Sequence, residues 1–279
     1  MRPLAVHLDN GWDSELAVNN IKNALKKLNI DLYTHVIDWE EFKDIQISFL
    51  KASTTDSEIP SDHAIFSLMY KIAEKMGVQY IVSGFNVRTE SHLPDAWSIG
   101  HGDWKYIKSV HEKFGHVKLK TFPHMDFWTS RRYHQNIQWV NILNYLDYVK
   151  TDAMRMLEQK LSWKYYGGKH YESIYTRFYQ GYILPKKFGY DKRRSHLSSL
   201  ICSGEITKRA AMEELKKDPY PIELQKDDKE YVTKKLGLSD KEFEEIMRLP
   251  KKTFWDYPSY VLYHESLRYR IECLFYRVL

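Results

Sequence analysis

The chain has 279 residues, of which 43% are hydrophobic and 28% are charged. This balance predicts a packed core and excludes a disordered chain. The formal net charge is +5, from 42 basic and 37 acidic residues. Such a mild excess suits phosphorylated small substrates and does not require a nucleic acid partner.

Targeting signals and cysteines give little further information. No stretch approaches the ~20 apolar residues that cross a bilayer, and the opening MRPLAVHLDNGW lacks the pattern of a signal peptide. We therefore expect a cytoplasmic protein.

Cys202 and Cys273 are far apart and form no C-x-x-C pair, which predicts two buried free thiols in a reducing compartment.

The first part of the chain predicts a βαβ unit. Residues 4–8 form a short apolar run, Ser14 is a candidate N-cap, and apolar residues recur at helical spacing from Leu16 to Leu28. Residues 31–37 predict a second strand. A strand, a helix and a strand in so short a segment imply a parallel pair.

The next segment predicts two helices and a third strand. Residues 40–51 favour a helix, and Asp62 is a candidate cap for another helix that Gly77 ends. Residues 78–82 then predict a strand.

Beyond about residue 95 the alternation of strand and helix fades. Residues 97–128 show no clean period, and residues 136–161 favour a helix. Helices are predicted at residues 205–217 and 239–248, and the charged run 226–235 is helical or a linker. We predict a nucleotide-binding α/β domain in residues 1–135 and a mainly helical region in residues 136–279.

Two loops follow predicted parallel strands, at the edge where open α/β sheets bind ligands. The first is Asp9-Asn10-Gly11-Trp12, which is also ordinary turn chemistry. The second is the SGFNVRTE sequence, residues 83–90. There Gly84 permits close approach of a ligand, Asn86 offers hydrogen bonds, and Glu90 offers a carboxylate to magnesium. An ordinary strand-to-helix turn is the alternative for both loops.

Residues 166–200 form a basic and aromatic segment. One interpretation is a clamp for polyphosphate, because lysine and arginine stabilise phosphoryl oxygens. A second is single-stranded nucleic acid held by stacking and basic contacts. A third is a solvated basic face over core aromatics. The basic residues are Lys169, Arg177, Lys186, Lys187, Lys192, Arg193 and Arg194.

Several familiar catalytic motifs are absent from the sequence. No G-x-S-x-G, G-x-G-x-x-G or G-x-x-x-x-G-K-[ST] pattern occurs. The histidines between His92 and His124 lack the spacing of a metalloprotease site, and we predict no metal bound by them.

Five stretches together resemble the N-acetyl sugar amidotransferase family of lipopolysaccharide O-antigen and nonulosonic acid biosynthesis. They are HLDNGWDSELAVNNI, THVIDWEEF, EIPSDHAIF, SGFNVRTE and HYESIYTRFYQGYILPKKFGYDKRRSHLSSLICSG. That family belongs to the PP-loop ATP pyrophosphatase superfamily. The resemblance therefore implies an α/β, parallel-sheet, adenine nucleotide alpha hydrolase-like (Rossmann-like) domain followed by a mainly helical C-terminal region.

The resemblance also implies an activity. Such enzymes use ATP and magnesium to adenylylate an acetamido oxygen on a nucleotide sugar, and ammonia then displaces AMP to leave an acetamidino group. The implied partners are a glutaminase subunit that supplies ammonia and a barrel partner. No membrane partner is implied, and a nucleic acid partner is not expected.

Site residues follow by matching the family's motifs position by position. Asp9, Asn10 and Gly11 match a loop near the adenosine. A second loop matches the family's loop near the nucleotide and magnesium. The basic segment matches the family's phosphate and substrate segment, where we predict the catalytic contacts. The second loop contributes Ser83, Gly84, Asn86 and Glu90, and the basic segment contributes Lys169, Arg177, Lys187, Arg193 and Arg194.

The sequence departs from the family at its defining motif. It contains no S-G-G-K-D-S type PP-loop, and its first predicted strand matches the family's second strand. We therefore expect an N-terminally truncated domain without the first strand and the PP-loop. In a doubly wound sheet the first strand is central, so its loss leaves a gap or forces two strands to pair anew.

Three functions remain open on the sequence. The first is the amidotransferase, incomplete as written. The second is a non-catalytic remnant or an assembly partner of the glutaminase subunits. The third is a tRNA-thiolating PP-loop relative, against which the mild charge and the lack of paired cysteines argue.

Overall fold

The computed structural model describes residues 2–261, so Cys273 lies outside the described residues. Cys202 is a free thiol, but it is exposed rather than buried as the sequence predicted. It lies at the last residue of a surface helix, Arg193–Cys202.

The predicted βαβ unit is confirmed. Strand β1 (Leu4–Asp9), helix α1 (Glu15–Leu28) and strand β2 (Asp31–Val36) follow one another. The strands pair in parallel, with Leu4 opposite Asp31 and Asp9 opposite Val36. Ser14 caps α1 as predicted, because its side chain accepts the Ala17 N–H at 3.2 Å.

The next helices are α2 (Trp39–Ala52) and α3 (Ile59–Lys75), and strand β3 (Tyr80–Ser83) follows. The prediction that Asp62 caps α3 is wrong, since the helix already begins at Ile59 and Asp62 lies in its first turn. Pro60 favours this earlier start, because its fixed φ suits the first helical turn. Gly77 lies just past the helix with a φ of 66°, as a stop signal requires.

Residues 87–161 contain more structure than the sequence indicated. Helix α4 (Val87–Glu90) follows β3, and α5 (Trp104–Phe114) and α6 (Phe127–Asn136) come next. The predicted helix over residues 136–161 is wrong in its first part. There Gln138–Asn141 forms strand β4, and only Lys150–Leu161 is helical, as α7.

The remaining described chain is helical. Helix α8 (Ile174–Phe178) continues into a π-helical segment, Tyr179–Phe188, and α9 (Arg193–Cys202) follows. Helix α10 (Lys208–Glu214) is shorter than predicted, and the charged run falls inside α11 (Ile222–Leu236). Helix α12 (Asp240–Arg248) is confirmed, with a capping box from Ser239 and Glu242.

The four strands form two separate parallel pairs, β1 with β2 and β3 with β4. The α/β class is therefore confirmed, but the described residues do not form the single sheet expected for a doubly wound domain. Neither β1 nor β3 has a second partner strand within residues 2–261. The expected loss of a central first strand stays a prediction.

One hydrophobic core joins most of the chain. Trp12, Phe42 and Phe49 pack in the same buried cluster as Phe178 and Phe243. Strand β4, beyond residue 135, pairs with β3, before it. The predicted boundary at residue 135 stays a prediction, but extensive packing crosses it.

Candidate functional site

A cavity of about 1020 Å³ is lined in part by strand β1. Its walls come from β1 and the loop after it, from α1, from the start of α3, from residues just after β3 and from the basic segment. Ligands of open α/β folds bind at the carboxyl ends of strands, and small-molecule sites enclose about 300–1,000 Å³. The cavity therefore has the position and size of a ligand site.

One side of the cavity is apolar. This wall can cover a flat base or sugar ring while polar groups elsewhere fix its orientation. Its residues are Val6, Leu8, Ala17, Ile21, Ala24, Ile65, Phe66, Phe85 and Leu93.

A connected polar network lines another side. Ser98 Oγ lies 2.5 Å from Asp56 Oδ2 and 2.6 Å from His101 Nε2. His101 Nδ1 is 3.1 Å from Asp62 Oδ2, although the two are not aligned as a hydrogen bond. Burial lowers the pKa of His101, but Asp62 and Asp56 outweigh it and raise that pKa above its ordinary value. An imidazole between carboxylates can hold or pass a proton in the cavity.

Glu58 adds a buried carboxyl to this side. Its backbone N–H donates to Asp56 Oδ1 at 2.9 Å, and Gln180 Nε2 donates to its Oε2 at 3.0 Å. Burial raises the pKa of Glu58, although Lys192 opposes that shift. A cavity carboxyl with a raised pKa is a candidate acid or base.

Basic groups also line the cavity. Lys169 Nζ contacts Glu90 Oε1 at 2.9 Å, and His170 Nδ1 lies 3.3 Å from Glu172 Oε1. Burial, and then nearby cations led by Lys169, lower the pKa of His196 to about 3. His196 is therefore a neutral imidazole at neutral pH.

A fourth histidine lies on β1 itself. His7 Nε2 is 2.8 Å from Asp13 Oδ2, and this hydrogen bond raises the pKa of His7 despite burial. Both residues line the cavity, as does Asn10. The strand and the loop after it thus supply a histidine–carboxylate pair to the cavity.

Two residues of the first predicted loop, Asn10 and Trp12, border the cavity, whereas Asp9 and Gly11 do not. Asp9 Oδ1 accepts the Gly11 N–H at 2.9 Å, and Asn10 Oδ1 accepts the Trp12 N–H at 3.2 Å. Gly11 has a φ of 79°, which favours glycine, and its carbonyl accepts from Lys235. Asp9 and Asn10 therefore shape the turn.

The second predicted loop reaches the cavity through Glu90 and the intervening Phe85. Ser83 Oγ accepts the Phe85 N–H at 3.1 Å, and Gly84 is exposed. Asn86 is buried and caps α4, because its Oδ1 accepts the Thr89 N–H at 3.0 Å. Glu90 therefore lies where the two predicted clusters meet, paired with Lys169.

Of the five predicted catalytic residues, only Lys169 lines the cavity. Arg177 makes two hydrogen bonds to the buried Asp228, and Lys187 donates to the carbonyl of Ile246. Arg193 binds Asp191 and three backbone carbonyls near the end of α10, and Arg194 is exposed. The predicted roles of these four residues remain predictions that the cavity geometry does not support.

The sequence does not single out most of the polar residues that line the cavity. It indicates Asp62 as a helix cap, includes His101 only among the histidines weighed as metal ligands, and gives Lys192 as one of seven basic residues. The one sequence signal for His196 is its position in the run SHLSSL, shortly after the basic residues Lys192 to Arg194. The passed-over cavity residues are His7, Asp13, Asp56, Glu58, Asp62, Ser98, His101, His170, Lys192 and His196.

The residues present fit a nucleotide better than a metal held by protein alone. No group of three or more potential ligands suited to a metal ion occurs within the described part of the chain. Magnesium in nucleotide sites is commonly held by one or two carboxylates together with substrate phosphates. Glu90, in the cavity beside Lys169, suits that limited role.

The geometry defines an α/β protein with a nucleotide-sized cavity that has both apolar and polar lining residues. Residues 172–269 match the family model described as LPS biosynthesis protein WbpG-like, C-terminal domain. This match confirms the resemblance to lipopolysaccharide biosynthesis proteins over that segment, and it supports a role in lipopolysaccharide biosynthesis. The segment includes Lys192 and His196 of the cavity.

Two further comparisons gave no match. No curated protein and no solved structure matches the chain.

The helices were also tested as membrane spans. Within residues 2–261, none is both long enough and apolar enough to cross a bilayer.

Proposed function

We propose that this chain acts in an ATP-dependent amidotransferase that converts an acetamido group of a nucleotide-activated sugar to an acetamidino group. The observation that carries the proposal is the shared cavity. The WbpG-like segment contributes its Lys192 and His196 to the same space as the loop after β1 and the start of α3. A family segment tied to lipopolysaccharide synthesis thus lines a nucleotide-sized site.

The proposed reaction has two steps. The acetamido oxygen attacks the α-phosphorus of ATP, an O–P bond forms, and pyrophosphate leaves. Ammonia then attacks the acetamido carbon, the C–O bond to AMP breaks, and the nitrogen loses one proton as the amidinium product forms. Activation by adenylylation is needed because an amide oxygen is otherwise a poor leaving group.

Cavity residues suit these steps. Lys169 and Lys192 offer ammonium N–H donors to phosphoryl oxygens, which develop negative charge as pyrophosphate leaves. Asp56, Asp62 and His101 form the network that can accept the proton released by the attacking nitrogen. Magnesium bound to the phosphates, with Glu90 as a protein ligand, would neutralise part of their charge.

The open edges of β1 and β3 are relevant to ATP binding. The sequence contains no PP-loop motif, and neither β1 nor β3 has a second neighbouring strand within the described residues. We propose that a strand–loop–helix segment seated between these edges completes the ATP site. A strand edge recruits such a segment through backbone hydrogen bonds.

The test is formation of AMP and pyrophosphate that depends on a nucleotide sugar and on ammonia. The chain is assayed with an ammonium salt, with a glutaminase partner, and with a separately expressed PP-loop segment. Product is identified by the mass change when oxygen is replaced by an NH group. Absence of sugar-dependent AMP in every combination would overturn the proposal.

A second candidate is an assembly role without catalysis, which the open edges of β1 and β3 within the described residues favour. It predicts a stable complex with the glutaminase partner but no AMP formation under any of these conditions. Catalysis by any combination that requires this chain would exclude it.

A further inference from the structure

Four basic side chains lie near one another in the lining of the cavity. Lys169 and His170 come from the loop between α7 and α8, while Lys192 and His196 come from the start of α9. Two separate segments of the chain thus supply one local concentration of N–H groups.

The arrangement holds the two histidine rings close together. His170 has a φ of 66°, an unfavourable conformation for a residue with a side chain, and such strain is common at functional sites. Its ring centroid lies 5.8 Å from that of His196. The His196 backbone N–H donates to the Lys192 carbonyl at 3.3 Å, which fixes the spacing of these two residues along α9.

His196 has no compensating partner. Within residues 2–261 its ring nitrogens make no hydrogen bond. Burial, followed by the nearby basic residues Lys169, His170, Lys192 and Lys150 at the start of α7, lowers its pKa to about 3. An anion that enters the cavity would supply the hydrogen-bond partner that this ring lacks.

Carboxylates lie beside Lys169, His170 and Lys192, but they do not occupy all of the N–H donors of the two lysines. Glu90 contacts Lys169, Glu172 lies by His170, and Asp56 Oδ2 is 3.7 Å from Lys192 Nζ. An ammonium group has three N–H donors, so each lysine retains donors for a ligand.

We propose that Lys169, His170, Lys192 and His196 form a subsite for a phosphoryl group. The ligand class is a phosphate dianion or diphosphate, such as that of a nucleotide or nucleotide sugar. This inference deepens the proposed function, on which the natural ligand's identity rests, but phosphoryl binding itself does not require that function. Four donors around one space match the several acceptor oxygens of a phosphoryl group.

The first test measures pyrophosphate binding by titration calorimetry at fixed ionic strength. Lys169→Met and His196→Gln are each expected to weaken binding about tenfold, because each removes a charge-assisted hydrogen bond. Lys160→Met, an exposed lysine of α7 outside the cavity, is the matched control and should bind like the unmodified chain. Equal affinity in all three variants, or no binding by the unmodified chain, would overturn the subsite.

A second measurement covers the case in which a variant does not fold. In the unmodified chain, the His196 ring resonance is followed by NMR while pyrophosphate is added at pH 6. We expect it to move toward the imidazolium position, because a dianion raises the pKa of a nearby histidine. An unchanged ring at saturating pyrophosphate would contradict direct contact.

The two proposals fail differently. Pyrophosphate binding without sugar-dependent AMP formation leaves the subsite standing and overturns the amidotransferase. AMP formation that is unaffected by Lys169→Met and His196→Gln leaves the amidotransferase standing and places its phosphates elsewhere.

Discussion

Arg177 and Asp228 form a tightly paired, largely buried ion pair. Arg177 Nε and Nη2 lie 2.7 Å and 2.6 Å from the two Asp228 carboxylate oxygens, and Asp228 is only 3% exposed. The hydrogen bond to Asp228 raises the pKa of Arg177 above its already high value. This geometry assigns the guanidinium first to holding α8 against α11.

Arg177→Met is expected to lower the free energy of unfolding by about 3–5 kcal/mol, because it leaves Asp228 buried without a partner. Urea denaturation measures the change. The double variant Arg177→Met with Asp228→Leu removes the stranded charge and should recover most of the loss. If Arg177 also contacts phosphate, the double variant will be nearly as stable as the unmodified chain but will bind pyrophosphate more weakly than that chain does.

Lys187 carries a charge in an apolar setting. Its side chain is 7% exposed and donates to the Ile246 carbonyl, and burial lowers its pKa from 10.5 to about 8. Because the folded pKa lies below the unfolded one, the unfolded chain binds the proton more readily between these values. Stability should therefore rise as the pH increases from about 8 to 10.5.

Lys187→Met is expected to remove this part of the pH dependence and to stabilise the protein at pH 7. Denaturant midpoints between pH 7 and 10.5 provide the measurement. Lys160→Met serves as the control and should keep the slope of the unmodified protein. An identical slope in Lys187→Met would show that the ammonium is solvated.

At the scale of elements, α2 organises a loop distant in sequence. Glu41 is buried, and its carboxylate accepts the backbone N–H groups of Lys120, Thr121 and Phe122 at 2.8–3.1 Å. One turn further, Asp44 Oδ2 lies 2.8 Å from His111 Nε2 and accepts two more backbone N–H groups. Two carboxylates on one helix thus give an irregular loop its shape.

Asp44→Asn is expected to destabilise the protein by about 1–3 kcal/mol at pH 7, because it weakens three hydrogen bonds to a charged acceptor. Burial raises the pKa of Asp44, but the Val117 and His116 N–H groups and His111 outweigh it and lower the pKa below 3.8. The stabilisation that the Asp44 carboxylate gives to the folded state is thus present above pH 3.8, and it is lost as the pH falls through the folded pKa of Asp44.

Thermal unfolding between pH 2 and 7 tests this expectation. Asp152→Asn, an exposed acid of α7, should match the unmodified protein throughout. An Asp44→Asn variant with the same acid-side slope as the unmodified protein would show that the hydrogen bonds do not stabilise the charge.

At the scale of the whole molecule, the core crosses the boundary that the sequence predicted at residue 135. The Trp12 and Tyr175 rings lie 5.2 Å apart, and the Tyr175 hydroxyl lies 2.6 Å from Ser57 Oγ. Strand β4 also pairs with β3 across that boundary. Since each half buries apolar surface against the other, their stabilities are coupled.

We therefore expect one cooperative unfolding transition for the full chain, with coincident changes in far-UV circular dichroism and tryptophan fluorescence. A fragment of residues 1–135 should remain unfolded, because it loses β4 and the aromatic side of the core. Two resolved transitions, or a folded 1–135 fragment, would restore the two-domain interpretation.

Local structure was the most predictable level. The βαβ unit, the Ser14 cap, the Gly77 stop and α12 follow from apolar spacing and capping chemistry within a few residues. Strand β4 was not predictable, because Gln138–Asn141 becomes a strand only when β3 supplies its hydrogen-bonding partner. Its sequence also continues a plausible helical pattern.

The candidate site was predictable only in outline. The loops after the parallel strands predicted a ligand site near the cavity, and two predicted site residues, Lys169 and Glu90, line it. The sequence could not separate Lys192 from Arg177 or Arg193, since all are basic residues in one segment. Their roles differ because Arg177 and Arg193 meet buried or neighbouring acceptors, whereas Lys192 faces the cavity.

By itself, the sequence determined the α/β class, the parallel pairing of β1 with β2 and the resemblance to lipopolysaccharide biosynthesis proteins. Periodicity, caps and motifs are local, so they can be read without knowing where distant segments lie. The tertiary structure alone decided that the strands form two separate pairs and that His101, His170, Lys192 and His196 share one cavity. Such contacts depend on packing between residues far apart in the chain, which no local pattern encodes.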